Sequence, residues 1–344
     1  MTSTGWKLDP EAASDALRLL RQATVVLMPM HQNVDADGIS SPLAIMHALE
    51  QLGITAVPMI TDGVEPYQLE FLPGYDRVLV YGRDPLPDYD VLCLTDVSDL
   101  RRLGSFYEDD PSRVDGSVPI VNIDHHVTNA HFGQVNIVEP TAASAAELVT
   151  DVLAQWGTEL TKDIAQCLLT GIFGDTLGLR TDNTTSRTLR TSADLIDAGG
   201  NTQPVIDALF RVKPKSSVCV WEHALRNVQW TGSLIWTELT QEDFAQCGAA
   251  SSEAEGIVNF LVGTLGSRAA AILYRNDQGW RVSMRSLPNG VDVAALTAQF
   301  GGGGHPRAAG VSIKGTEADK LAFIEQVAAT IGAADDEPTP AVAT

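Results

Sequence analysis

Five short apolar runs set the strongest constraint on how this chain can fold: TVVLMPM (24–30), ITAVPMI (54–60), RVLVY (77–81), VLCLTD (91–96) and VPIVNID (118–124). Each has the length of a strand and is bounded by polar residues, the pattern of a strand buried on both faces. Apolar residues at helical spacing precede the first run (10–23) and follow it in ISSPLAIMHALEQLG (39–53), where Gly53 marks the stop. Strands alternating with helices predict an α/β fold whose mostly parallel sheet carries helices on both faces. Three further helical segments, 142–157, 163–174 and 186–200, close a first domain over residues 1–198.

A chain of 344 residues suits two cores rather than one. Residues 199–229, with the short amphipathic stretches QPVIDALF and SSVCVWEHALRNV, read as a helical connector. Strands GSLIWTEL, RAAAILYR and GWRVSMRS and helices VDVAALTAQF and EADKLAFIEQVAATIG then predict a smaller α/β domain over 230–332, followed by a disordered acidic tail over 333–344.

The formal net charge of −21 opposes long-range attraction of a polyanion, so a long nucleic-acid duplex is excluded as the expected partner. Neither a signal-like N-terminus nor a membrane-length apolar run is visible, which points to a cytoplasmic protein off the membrane. Cys93, Cys167, Cys219 and Cys247 form no C-x-x-C pair and are expected to be reduced, mostly buried thiols. The sequence sets no oligomeric state, and a homodimer is compatible with it.

Chemistry gathers at the ends of the apolar runs. The first run leads into His31, Asp35 and Asp37; read as an extended segment, it turns both carboxylates to one side. Carboxylates with an imidazole suit manganese, magnesium or iron better than a structural zinc. A calcium loop is excluded, because Ile39 and Met46 occupy its fifth and twelfth positions. Asp96 follows the fourth run, Asp124-His125-His126 the fifth, and Asp175 lies in GIFGDT. One strand-end Asp is ordinarily a cap or a turn former. Several on one sheet edge, where open α/β sheets place their sites, form a candidate centre. Asn129 and His131 follow it closely, whereas His47 and His223 read as structural, and Trp156, Trp230, Trp236 and Trp280 as core or interface.

The ordered set HxxxDxD, a strand-end Asp, the DHH triplet and GIxxDT resembles the DHH phosphoesterase superfamily. Ser283-Met-Arg285-Ser286 and the run Phe300 to Gly310 (FGGGGHPRAAG) resemble its DHH-associated C-terminal domain, and the segment after the triplet resembles the NrnA-like group. That group degrades oligoribonucleotides of a few residues, dephosphorylates 3′-phosphoadenosine 5′-phosphate, or cleaves dinucleotides. The resemblance implies two manganese ions, magnesium being an alternative: one held by His31, Asp35 and Asp96, the other by Asp37, Asp96, His125 and Asp175. It further implies attack by a metal-bridging hydroxide, Asp124 orienting a ligating histidine, and His126 facing the phosphate. Arg285, Ser286, Gly302, Gly303, Gly304, His305 and Asn129 would bind the substrate across a cleft. Thr95-Asp96-Val97 and Leu179-Arg180 depart from the usual pattern and bear on substrate preference. A RecJ-like single-strand exonuclease, a non-catalytic nucleotide sensor and an RNA-binding module are the competing expectations.

Overall fold

The computed structural model describes residues 6–62, 66–287 and 290–333; apart from Ala333, the expected acidic tail lies outside them. The chain divides into two units, residues 1–212 and 213–344. This break falls inside the stretch expected to be a connector. The first helix of that stretch buries Val205 in the core of unit 1, and the second buries Val220 and Ala224 in unit 2.

Unit 1 is built on strands β1 (Val25–Pro29), β2 (Thr55–Ile60), β3 (Leu79–Val80), β4 (Val91–Thr95), β5 (Ile120–Asp124) and β6 (Val135–Val138). They form one parallel sheet in the order β3-β2-β1-β4-β5-β6. The strand order reverses between β1 and β4, so chain leaving their C-terminal ends runs to opposite sides and opens a crevice there. Side chains alternate across the sheet as strand geometry requires. Val26, Met28, Val91, Cys93, Val121 and Ile123 enter one core layer, while Leu27, Leu92, Leu94 and Ile120 enter the other.

The first layer is roofed by helices α1 (Pro10–Leu20) and α2 (Ala36–Gln51); the second is closed by the short α3 (Ser105–Glu108) and by single helical turns at Leu100–Leu103 and Pro111–Val114. Helices α4 (Ala145–Trp156), α5 (Lys162–Asp175), α6 (Ser186–Asp197) and α7 (Thr202–Ile206) follow the last strand. Every residue of α5 from Ile164 to Phe173 is buried, including the polar Gln166 and Thr170, so this helix is enclosed on all sides rather than lying at the surface.

Two glycines let α5 approach its neighbours. A Cβ on Gly171 would lie 2.5 Å from Asp37 Oδ1 and 2.6 Å from the Ala146 methyl, and one on Gly174 would lie 2.6 Å from the Ala36 methyl.

Unit 2 carries strands β7 (Gln229–Thr231), β8 (Leu234–Leu239), β9 (Ala269–Asn276), β10 (Gly279–Ser286), β11 (Gly303–His305) and β12 (Ala308–Lys314), in the order β11-β12-β10-β9-β8-β7. All neighbours are antiparallel except β8 and β9. Helices α8 (Lys215–Arg226), α9 (Gln241–Cys247) and α10 (Ile257–Val262) cover one face; α11 (Val293–Ala298) and α12 (Glu317–Ala333) cover the other. Trp236 and Trp280 are core as expected, flanking the buried Lys320, which pairs with Glu238 and Glu317. Trp156 is also core and donates to the Ala13 carbonyl, whereas Trp230 is exposed.

The cysteine expectation holds for Cys93 and Cys167, which are buried and free. It fails for Cys219 and Cys247, which are joined as a disulfide. Their separation of 28 residues carries no spacing signal; the packing of α8 beside α9 brings them together.

Gly171→Ala should lower stability by about 1 to 3 kcal/mol, the usual cost of forcing a methyl into a filled core. Urea unfolding should show an earlier midpoint with an unchanged slope; a midpoint equal to wild type would mean that the α2–α5 contact has slack.

Candidate metal centre

The centre forms where β1, β4 and β5 end. His31 follows β1 and is buried, its Nδ1 beside the Gln32 carbonyl at 2.9 Å. The segment after it is not extended, as the sequence reading had it. Asp35 is the N-cap of α2, accepting from the Gly38 N–H at 2.9 Å, and Asp37 already lies in the first helical turn. Helix geometry therefore sends the two carboxylates different ways: Asp35 is more than half exposed and Asp37 fully buried. Asp37 is held by the N–H groups of Ala145 (2.6 Å) and Ala146 (2.9 Å) at the start of α4 and by the Ser41 hydroxyl (3.0 Å). A carboxylate at a helix N-terminus meets unpaired donors and the positive end of the dipole.

Asp96 sits just past β4 with a φ of 58°, the left-handed region that Asp tolerates better than most residues. Its two oxygens face different partners. Oδ2 lies 3.3 Å from His31 Nε2, while Oδ1 lies 3.5 Å from His125 Nε2 and 3.3 Å from His126 Nδ1. Asp175, at the end of α5, comes within 3.1 Å of His125 Nε2.

Asp124 accepts from the backbone N–H of His125 (2.8 Å) and His126 (3.2 Å), from His126 Nδ1 (2.8 Å) and from the Asn129 amide. The expectation that Asp124 orients a ligating histidine is corrected in detail. Its side-chain partner is the ring of His126, because the chain turns back over the carboxylate two residues on. The ring of His125 is steadied by the Ala142 carbonyl at 3.3 Å. Asn129 is buried and bonded to Asp124, to Asn122 and to the Val97 carbonyl, so its amide holds the loop together.

Electrostatics follow from this crowding. Burial raises the Asp37 carboxyl well above the carboxylate range, helped by Asp175 and Asp96, and burial likewise lifts Asp175 to about 6. Burial alone would depress the imidazoles, but neighbouring carboxylates outweigh it and push His31 up to about 10 and His126 to about 9, and raise His125 as well. Such a cluster calls for positive charge.

The residues fit divalent cations by three observations. His31 Nε2 and Asp96 Oδ1 are buried without a hydrogen-bond partner, although each has oppositely charged groups nearby. A Cβ on Gly38 would stand 2.4 Å from His31 Nε2, so the glycine keeps the space before that nitrogen open. Donor atoms of His31, Asp35 and Asp96 lie within 4.8 Å of one another, as do those of Asp37, His125 and Asp175 and of Asp96, His125 and His126. Gly38, Gly171, Ser41 and Asn122 support the centre but were not singled out from sequence. The spacing of Gly171 and Gly174 just before Asp175 was the available signal.

The second unit places its candidates differently. Ser286 is buried and donates to the Val291 carbonyl at 2.7 Å, and Arg285 is half-buried with Nη1 on the Met284 carbonyl. Burial lowers the Arg285 guanidinium, against the opposing pull of Tyr274 and Glu255. The glycine run is ordered: Gly303, Gly304 and His305 pair with Gly310, Ala309 and Ala308. Gly302 and Gly304 are required, since a Cβ there would strike the backbone oxygens of Gly310 (2.4 Å) and Ala308 (2.5 Å). His305 is exposed, and Arg307 is spent on the Gly290 and Val291 carbonyls.

A doubly wound parallel sheet with carboxylate and imidazole donors at its switch point defines a metal-binding α/β domain. Residues 25–172 match the DHH family, N-terminal domain, and residues 241–333 match the DHHA1 domain. A bifunctional oligoribonuclease and PAP phosphatase NrnA of Thermus thermophilus is 33% identical over 86% of this chain and 86% of its own. Its namesake in Bacillus subtilis is 24% identical over 90% of this chain and 96% of its own. An exopolyphosphatase-related protein from Bacteroides fragilis shares the fold with a TM-score of 0.86 at 21% identity, covering 96% of this chain and 98% of its own. The chain belongs to the DHH family of phosphoesterases, with a DHHA1 domain in its second unit.

Asn129→Ala should cost about 1 to 3 kcal/mol, because it leaves the buried Asp124 Oδ2 and the Val97 carbonyl without their donor. Chemical denaturation measures this, and a loss under about 0.5 kcal/mol would mean that the loop is held elsewhere.

Proposed function

We propose that this chain is a divalent-metal-dependent phosphoesterase that hydrolyses short oligonucleotides and 3′-phosphoadenosine 5′-phosphate, with manganese as its ion. The observation that carries this reading is the division of Asp96, one oxygen toward His31 and the other toward His125 and His126. A carboxylate so placed suits a bridge between two cations. Membership of the DHH family and the activities named for the relatives support the substrate class. The net charge of −21 also disfavours long polyanions.

In this reading His31, Asp35 and Asp96 would hold one cation, and Asp37, Asp96, His125 and Asp175 the other. Such a pair, when bound, would supply Lewis-acid charge to the phosphoryl oxygens and lower the pKa of water toward neutrality. The chain's own residues do the rest. Asp37 is fixed by the α4 amides, so its position does not depend on substrate. Asp124 keeps His126 turned with Nδ1 inward, leaving Nε2 to carry a proton to the departing oxygen. Among residues of the second unit, His305 and Arg285 are assigned to grip the substrate. Among the described residues no helix is long and apolar enough to cross a membrane, and a cytoplasmic location is part of the proposal.

Chelation should abolish hydrolysis and added manganese should restore it. Asp96→Asn should lose both metal and turnover. His305→Ala and Arg285→Ala should keep the metal and lose about ten- to a hundredfold in kcat/KM, the equivalent of roughly 1.5 to 3 kcal/mol. Full turnover in chelator, or loss of metal from His305→Ala, contradicts this division of labour.

With dinucleotides, five-mers and long single strands compared side by side, rates should fall as length grows. Equal or faster cutting of the long strand would assign the chain to exonucleases acting on long substrates.

A further inference from the structure

The second unit holds a cluster that the proposed hydrolysis does not use. Cys219 and His223 are one turn apart on α8, and Asp243 and Cys247 are one turn apart on α9. Residues at this spacing share a helix face, and the two faces meet. Sulfur joins sulfur between Cys219 and Cys247, and His223 Nδ1 lies 2.7 Å from Asp243 Oδ1. A ring nitrogen of His223 and both sulfurs lie within 4.8 Å of one another, and all three residues are half-buried.

Asp243 is not a free carboxylate. Its Oδ2 accepts from the N–H (2.7 Å) and hydroxyl (2.6 Å) of Thr240, the N-cap of α9, in a capping box that leaves Oδ1 facing the imidazole. A carboxylate that takes the Nδ1 proton fixes the ring and leaves the lone pair on Nε2, the usual arrangement behind a metal-binding histidine. Two sulfurs and one such imidazole form a soft donor set, unlike the oxygen-rich centre of unit 1.

We propose that, when the bond between Cys219 and Cys247 is reduced, their thiolates and His223 bind a thiophilic divalent cation, zinc by its donor preference. Tetrahedral zinc needs sulfur at about 2.3 Å and nitrogen at about 2.0 to 2.1 Å, so ligand atoms stand roughly 3.5 to 3.8 Å apart. Side-chain rotation on α8 and α9 reaches that spacing, and water takes the fourth position. The disulfide and the ion exclude each other, because a sulfur in a disulfide has no thiolate to offer.

The exchange is balanced. A dithiol reductant gives two electrons and two protons to the S–S bond and itself becomes a disulfide, and cation binding then releases the two thiol protons. Hydrogen peroxide reverses this: the thiolates lose two electrons and rejoin, the cation leaves, and peroxide with two solvent protons becomes two waters. Unit 2 thus carries a redox-controlled clamp between α8 and α9, made of residues outside the metal centre of unit 1.

The test is anaerobic titration of the full-length, phosphine-reduced protein with cobalt(II), which gives a near-ultraviolet charge-transfer band only with thiolate ligands. The reduced wild type should develop the band, and its final intensity should correspond to one thiolate-bound cobalt per chain, beyond whatever cobalt the unit 1 centre takes without a thiolate band. Asp96→Asn should retain it, since that residue belongs to the other centre, while peroxide treatment before titration should prevent it. Cys247→Ser should lose the band, and Asp243→Asn should weaken cobalt binding by about ten- to a hundredfold. His223→Ala leaves both sulfurs in place and should also bind at least tenfold more weakly, which carries the test if the serine variant loses its fold by circular dichroism. No band in the reduced wild type, an undiminished band in Cys247→Ser, or wild-type affinity in His223→Ala overturns the proposal.

Discussion

Carboxylates crowded out of water need positive charge or donors, and the structure of unit 1 is organised by that need. Asp37, Asp96 and Asp124 are almost fully buried at one sheet edge, with Asp175 and Asp35 close by. An unpaired buried carboxylate is among the costliest groups a fold can carry. Each is answered differently: Asp37 by the first amides of α4 and Ser41, Asp124 by two backbone N–H groups, Asn129 and His126, and Asp96 by three imidazoles. Asp96 Oδ1 and His31 Nε2 still lack hydrogen bonds, and that residual demand is what divalent cations would meet.

The same need explains the backbone features around these residues. Gly171 and Gly174 lack side chains and so let α5 pack against Asp37, Ala146 and Ala36, just where Asp37 meets the α4 amides. The left-handed backbone at Asp96 turns its carboxylate into the crevice rather than along the strand. Backbone strain of this kind persists where the surroundings over-determine it. Here the parallel partners β1 and β5 on either side of β4 do so.

The two units differ in how their polar groups are used. In unit 2, Ser286 and Arg307 tie the strand β10 to the loop before α11, and Lys320 is locked between two tryptophans and two glutamates. These contacts are made within unit 2 itself. The groups it leaves exposed, such as His305 on the edge strand β11, are the ones open to a partner.

Strand positions in unit 1 were legible from sequence because strands buried on both faces are continuous apolar runs, and β1, β2, β4 and β5 fall within the runs expected. The acidic and imidazole residues at their ends were legible for the same reason, since a known strand end locates the edge of a parallel sheet. The edge strand β6 was not, because it is short and half-exposed. Nor was β11, whose glycines carry no alternating pattern. The local chain alone determined which residues must be buried and which chemistry sits at their ends. Only the tertiary structure decided that Asp37 belongs to one helix and accepts from the first amides of another, that Asp124 holds the ring of His126 rather than that of His125, and that Cys219 meets Cys247. Each of these depends on where a second element lies in space, and periodicity along one segment carries no information about that distance.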